Sequence, residues 1–98
     1  MVNNLSIEVG RVVVSTAGRD KTRVFIITKV IDEEYVYIAD GDLRPLAVPK
    51  KKKIKHLDLK PEVLDNIKEK LMNSKKVFDA ELKSAIKSLK YGEVKKGD

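Results

Sequence analysis

Gly10 to Val30, GRVVVSTAGRDKTRVFIITKV, is the stretch whose reading decides the fold. Two apolar, β-branched runs, Val12 to Val14 and Val24 to Ile31, flank a small, polar, basic segment from Ser15 to Arg23. Val, Ile, Thr and Phe suit a pleated, half-buried surface. Ser15, Thr16, Ala17 and Gly18 are small and turn-permissive, whereas Arg19, Lys21 and Arg23 cannot be buried unpaired. The stretch therefore reads as strand, loop, strand, with the loop presenting charge.

The alternation within each strand says what surrounds it. In Arg11 to Ser15, Val12 and Val14 face one way and Val13 the other. In Val24 to Ile31 both faces are largely apolar, Val24, Ile26, Thr28 and Val30 against Phe25, Ile27, Lys29 and Ile31. A strand covered on both sides predicts a barrel interior on one and a further packed element on the other.

Outward from this hairpin, residues 1–8 read as a lead-in, with Leu5 and Ile7 tucking against the barrel. Asp32, Glu33 and Glu34 form a turn into a third strand, Tyr35 to Ala39, with Val36 and Ile38 on one face and both tyrosines on the other. Asp40, Gly41 and Asp42 signal a turn, and Pro45 and Pro49 interrupt the segment that follows. Lys50 to Leu57 reads as a final edge strand, where lysines discourage pairing with another chain. From Pro61 the period changes from two to about 3.6. Pro61 suits the first turn of a helix striped by Val63, Leu64, Ile67 and Leu71, with a break near Asn73 and Ser74. Asp79 is the expected N-cap of a second helix carrying Leu82, Ala85, Ile86 and Leu89, with Gly92 near its end. The expectation is a mainly β fold: an SH3-like small β-barrel over 1–60, a helical extension over 61–92 packed on it, and a disordered tail over 93–98.

Composition bounds the chemistry. The chain has 98 residues, no cysteine and one histidine. A chain of this size buries about 60 to 65 per cent of its unfolded surface, so the core is modest. Lack of cysteine removes disulfides and thiolate metal sites. No apolar run approaches the roughly 20 residues that span a bilayer, and the N-terminal sequence lacks a basic lead into an apolar run. A cytoplasmic protein with no membrane partner is expected.

Few groups converge as an enzyme requires. His56 alone cannot form a paired imidazole site, and it reads as a structural or rim residue. No G-x-S-x-G elbow, phosphate-binding loop or dinucleotide fingerprint is present. Asp32, Glu33 and Glu34 read as a solvated turn, and Asp40 and Asp42 lack the further ligands of a calcium loop. The sequence is thus read as non-enzymatic, with no metal, cofactor or small-molecule substrate.

Charge points to binding instead. The formal net charge of +6 is unevenly placed: six basic residues face seven acidic ones over 1–49, six face one over 50–60, and nine face seven over 61–98. Such local excess marks a polyanion contact. Lys50, Lys51, Lys52, Lys53 and Lys55 are dense enough to follow a phosphate backbone, with Lys51, Lys53 and Lys55 expected along one side of an extended strand. Their spacing there is roughly 6.6 Å. Arg19, Lys21 and Arg23 add a second cluster, with guanidiniums suited to bidentate phosphate contacts. Tyr35 and Tyr37 are read as covering the helices, with stacking on bases as the alternative. Lys83, Lys87 and Lys90 read as a solvated helix flank.

The run from Gly10 to Arg23, continuing through Val30, resembles a KOW motif, alternating apolar residues around a glycine in a basic loop. With Tyr37-Ile38-Ala39-Asp40-Gly41 and the lysine tract, residues 8–57 resemble the ribosomal-protein-like KOW family related to large-subunit ribosomal protein fourteen of the archaeal and eukaryotic type. Under that resemblance Gly18 takes the place of the loop glycine, Lys21 and Arg23 its basic positions, and Thr22 stands where many members have glycine. The resemblance implies an SH3-like barrel that binds structured RNA, ribosomal RNA in particular, in the ribosome or its assembly, with ribosomal proteins as further partners. A transcription-associated KOW module contacting RNA polymerase or another protein is the alternative. A peptide adaptor is disfavoured by five aromatics and no tryptophan. Neutralising some 5 to 7 phosphates would give a slope of log K against log salt of roughly −4 to −6.

Overall fold

Val12, Ile26 and Ala39 lie side by side across three strands, β1 (Arg11–Ser15), β2 (Val24–Val30) and β3 (Tyr35–Ala39). The computed structural model describes residues 5–89, and within them these strands are the centre of a five-stranded antiparallel open sheet. β4 (Lys50–Lys53) and β5 (Leu57–Val63) form its edges, in the order β4-β3-β2-β1-β5. Two helices follow, α1 (Asp65–Met72) and α2 (Asp79–Leu89). The first three strands fall where the alternation of β-branched residues places them, β2 ending one residue earlier than expected.

β2 separates two apolar layers, as its double-sided pattern requires. On one side Val24 and Ile26 join Val12 and Ala39 with Ile67 of α1, Leu82 of α2 and Val77 between the helices. On the other, Phe25 and Ile27 join Val13, Val36, Ile38 and Leu57, with Ile7, Ile54 and Leu59 against them. Phe25, Ile26 and Ile27 are all fully buried. Burying each such side chain contributes about 1.5 to 3 kcal/mol, so this strand anchors both layers.

The chain departs from expectation after β4. The lysine-rich strand ends at Lys53, not Leu57, because Ile54 to His56 form a 3-10 turn that brings Ile54 against the inner apolar layer. The Ile54 N–H bonds the Glu34 carbonyl at 2.8 Å, and the Thr16 N–H bonds the His56 carbonyl at 2.9 Å. The turn carries the chain to the opposite edge, where β5 pairs with β1. Pro61 therefore lies in an edge strand and does not start a helix; at an edge its missing N–H leaves no ladder bond unmade. The β1–β5 register shifts between Arg11 and Val13. There the buried Arg11 guanidinium donates to the Lys60 and Pro61 carbonyls at 3.2 and 3.1 Å.

The second helix begins at Asp79 as expected, but Asp79 does not cap it. Its carboxylate accepts the Leu46 N–H at 2.7 Å, tying the β3–β4 connection to the helix start. Gly41, at φ +80°, makes that approach possible: a Cβ here would lie 2.3 Å from the Asp79 carbonyl oxygen. Lys83 and Lys87 are exposed on α2, whereas Lys90, Gly92 and the tail 93–98 lie outside the described residues. Among the described residues no helix is long and apolar enough to cross a membrane.

Candidate nucleic-acid interface

The basic loop from Ser15 to Arg23 folds back on itself through its own backbone. Thr22 N–H donates to the Ser15 carbonyl at 2.7 Å, Ser15 N–H to Arg23 at 3.0 Å, and Lys21 N–H to Gly18 at 3.2 Å. Two residues of the loop have left-handed backbone, Gly18 at φ +80° and Thr22 at φ +73°. Glycine adopts this conformation without penalty, whereas a β-branched side chain is strained there. Thr22 therefore holds the tight turn at a conformational cost.

Two crossed ion pairs lock this loop to the β3–β4 connection. Asp20, 1 % exposed, accepts both Arg44 Nε and Nη2 at 3.1 and 2.9 Å, with Lys50 Nζ 3.7 Å away. In the reverse sense Arg23 Nη2 donates to Asp40 Oδ2 at 3.0 Å and lies 3.9 Å from Asp42. The second Asp40 oxygen accepts the Asp42 and Arg44 N–H groups at 2.9 and 2.8 Å, which shapes its own turn. Each loop thus gives the other one aspartate and one arginine. Asp20, Asp40 and Arg44 escaped the reading of charge as a net balance. The available signal was an acid set between Arg19 and Lys21, which a purely phosphate-binding loop has no reason to carry.

The lysine tract divides by the pleat of β4. Lys50 and Lys52 turn toward the basic loop. Lys52 is buried, and its Nζ donates to the Ala17 carbonyl at 3.1 Å. Burial, and then the neighbouring Lys50 charge, pull the Lys52 pKa below that of an ordinary lysine, with Asp20 opposing. Lys51 and Lys53 turn to the other face, opposite Tyr37 and Tyr35 respectively. Lys55 is exposed but sits in the 3-10 turn, so it does not continue their row.

The eight cations singled out from the sequence therefore fall into two groups. Arg23, Lys50 and Lys52 are engaged by Asp40, Asp20 and Ala17. Arg19, Lys21, Lys51, Lys53 and Lys55 are exposed, and among the described residues none of them lies in an ion pair with a carboxylate. The Lys52–Ala17 bond ties the basic loop to β4, an edge strand of the sheet. Tyr35 and Tyr37 alternate with Val36 and Ile38 and so lie on the same sheet face as Ala39 of the helix-side layer; Lys51 lies over the Tyr35 ring, 4.6 Å from its centroid. His56 is half-buried in the 3-10 turn, with its carbonyl on Thr16. Among the described residues no group of three or more His, Asp or Glu side chains is placed to hold a metal ion. No protein-family model matches the chain.

Proposed function

We propose that this protein is a non-enzymatic, cytoplasmic RNA-binding module of the SH3-like, KOW type, binding ribosomal RNA in the ribosome or during its assembly. The observation that carries the reading is the division of the cations. Three tie the loop to β4 and to the β3–β4 connection; Arg19 and Lys21 are left exposed on that loop, and Lys51, Lys53 and Lys55 are exposed on and after β4. Preorganised cations bind a phosphate backbone without first ordering the loop that carries them. Such contacts set affinity and register, while the shape of a folded RNA sets specificity. The two-layered packing around β2 supports the barrel assignment, since the inner layer is closed by Ile7, Ile54, Leu57 and Leu59 from outside the central hairpin.

Titration of ribosomal RNA fragments over a range of salt tests the reading. The five exposed cations neutralise up to that many phosphates, which gives a log–log slope of roughly −3.5 to −4.5. Co-sedimentation with ribosomal subunits at low salt, lost at high salt, is expected. A slope near zero, or no affinity for these fragments at low salt, would overturn the reading.

A further inference from the structure

One face of the sheet carries tyrosines and lysines in alternation. At its centre, β3 presents Tyr35 and Tyr37, both half-buried, on the side opposite Val36 and Ile38. Tyr37 is flanked by Lys29 of β2 and Lys51 of β4, and Tyr35 by Lys53 of β4. The Lys51 and Lys53 ammonium groups lie 4.6 and 6.0 Å from the Tyr35 ring centroid. Lys29, Lys51 and Lys53 are exposed, and none of them is in an ion pair among the described residues. The face ends at the acidic turn Asp32 to Glu34, which repels a phosphate.

From this arrangement we infer that the Tyr35–Tyr37 face binds unpaired nucleotides of RNA, each ring stacking on one base while Lys29, Lys51 and Lys53 meet the intervening phosphates. The inference rests on the RNA-binding reading above and names the kind of RNA. Side chains two apart on a strand are about 6.6 to 6.8 Å apart, too far for two bases stacked on one another but suited to successive splayed bases of an extended strand. A duplex keeps its base faces covered and offers the rings nothing. An acidic peptide would use the lysines and leave the rings idle. Lysine side chains are flexible, so Lys51 moves from the Tyr35 ring to a phosphate as a base takes its place.

The full chain has no tryptophan and three tyrosines, two of them on this face, so the part of the tyrosine emission that is lost in the double leucine variant reports on the face. The probes are an oligouridylate of about ten nucleotides, within the site size of small single-strand binders, and a blunt RNA duplex of about 16 base pairs. The oligouridylate is expected to quench the tyrosine emission and the duplex to leave it unchanged. Tyr35→Leu with Tyr37→Leu is expected to weaken oligouridylate binding about tenfold or more, leave duplex binding within about twofold, and remove most of the quenching. Tyr35→Phe with Tyr37→Phe keeps the stacking surface and is expected to bind as the unaltered chain does. Equal quenching by both RNAs would overturn the inference, as would an unchanged affinity of the leucine variant or equal competition by polyglutamate. Salt-dependent binding of the duplex alone would overturn the stacking while leaving the RNA-binding reading intact. Loss of affinity for both RNAs in the unaltered chain would overturn that reading itself.

Discussion

Lys52 of β4 donates a hydrogen bond to the carbonyl of Ala17 in the basic loop, 3.1 Å away and 35 residues distant in the chain. A lysine from the densest charge run in the sequence is thereby spent on structure. Lys52→Met keeps most of the buried aliphatic stem and removes the donor. A charged hydrogen bond is worth about 1.5 to 3 kcal/mol, part of which the added apolar burial offsets, so a loss of about 1 kcal/mol is expected. Urea denaturation measures the loss, and faster hydrogen exchange at Lys21 and Thr22 places it in the loop. If Lys52 instead served mainly as an RNA contact, its replacement would flatten the salt slope while leaving stability unchanged.

The crossed ion pairs are unequal. Asp20 is 1 % exposed and receives two Arg44 donors, whereas Arg23, on the other pair, is 43 % exposed. Asp20→Asn leaves a guanidinium facing a neutral amide in a buried site, and a loss of about 3 kcal/mol is expected. Asp40→Asn retains the oxygen that accepts the Asp42 and Arg44 N–H groups, and its ion-pair partner is solvated. It is expected to cost about 1 kcal/mol or less. Denaturant midpoints of the two variants, compared at one pH, test the ranking.

Thr22 sits at φ +73°, where its branched side chain crowds the backbone. Left-handed backbone costs a non-glycine residue about 1 to 2 kcal/mol, while glycine adds unfolded-state entropy of about 0.5 to 1 kcal/mol. The difference favours Thr22→Gly by about 0.5 to 1 kcal/mol. An increased denaturation midpoint with unchanged cooperativity is the expected result; a decrease would mean that the threonine side chain contributes more than its strain costs.

The central hairpin was legible because both faces of β2 are apolar and the loop residues cannot be buried, so period and composition agree. The β5 strand was not. Leu57 and Leu59 carry its period-two signal, but Pro61 is equally suited to a helix start or an edge strand, and only the pairing with Arg11 to Ser15 decides between them. The candidate site was legible in its residue types but not in its division of labour. Alternation along β4 predicts that successive lysines face opposite ways; which face meets the loop depends on the register of Tyr35 against Lys53, a long-range fact. Asp79 shows the same limit: its position at a helix start was readable, its bond to Leu46 across 33 residues was not.

Gly41 tests how tightly α2 is docked. An added methyl group would meet the Asp79 carbonyl oxygen at 2.3 Å and the Lys83 nitrogen at 3.0 Å, both backbone atoms that cannot turn aside. The backbone at φ +80° is also unfavourable for alanine. Gly41→Ala is expected to destabilise by about 3 kcal/mol or more, in the range of severe overpacking combined with backbone strain. Amide exchange should accelerate first along α2, which would lose its seat against the β3–β4 connection. Uniform acceleration across the sheet would instead place the damage in the turn itself.

Glu8 gives the fold a defined acid sensitivity. A hydrogen bond from Lys68, then one from Ser6, outweigh partial burial and hold its pKa at about 2, below its ordinary 4.5, with the charges of Lys68 and Arg11 adding to the effect. The folded state therefore keeps this carboxylate ionised where the unfolded chain already binds a proton. Its contribution is complete above about 4.5 and is lost as pH falls toward about 2. The side chain is 28 % exposed, so solvent screening reduces the linked stability to about 1 to 2 kcal/mol. Glu8→Gln removes the titrating group. It is expected to lower stability at neutral pH and to flatten the acid limb, with the two proteins converging near pH 2. Urea midpoints at neutral pH and across the acid limb measure this directly, and parallel acid limbs would show that other carboxylates carry the pH dependence.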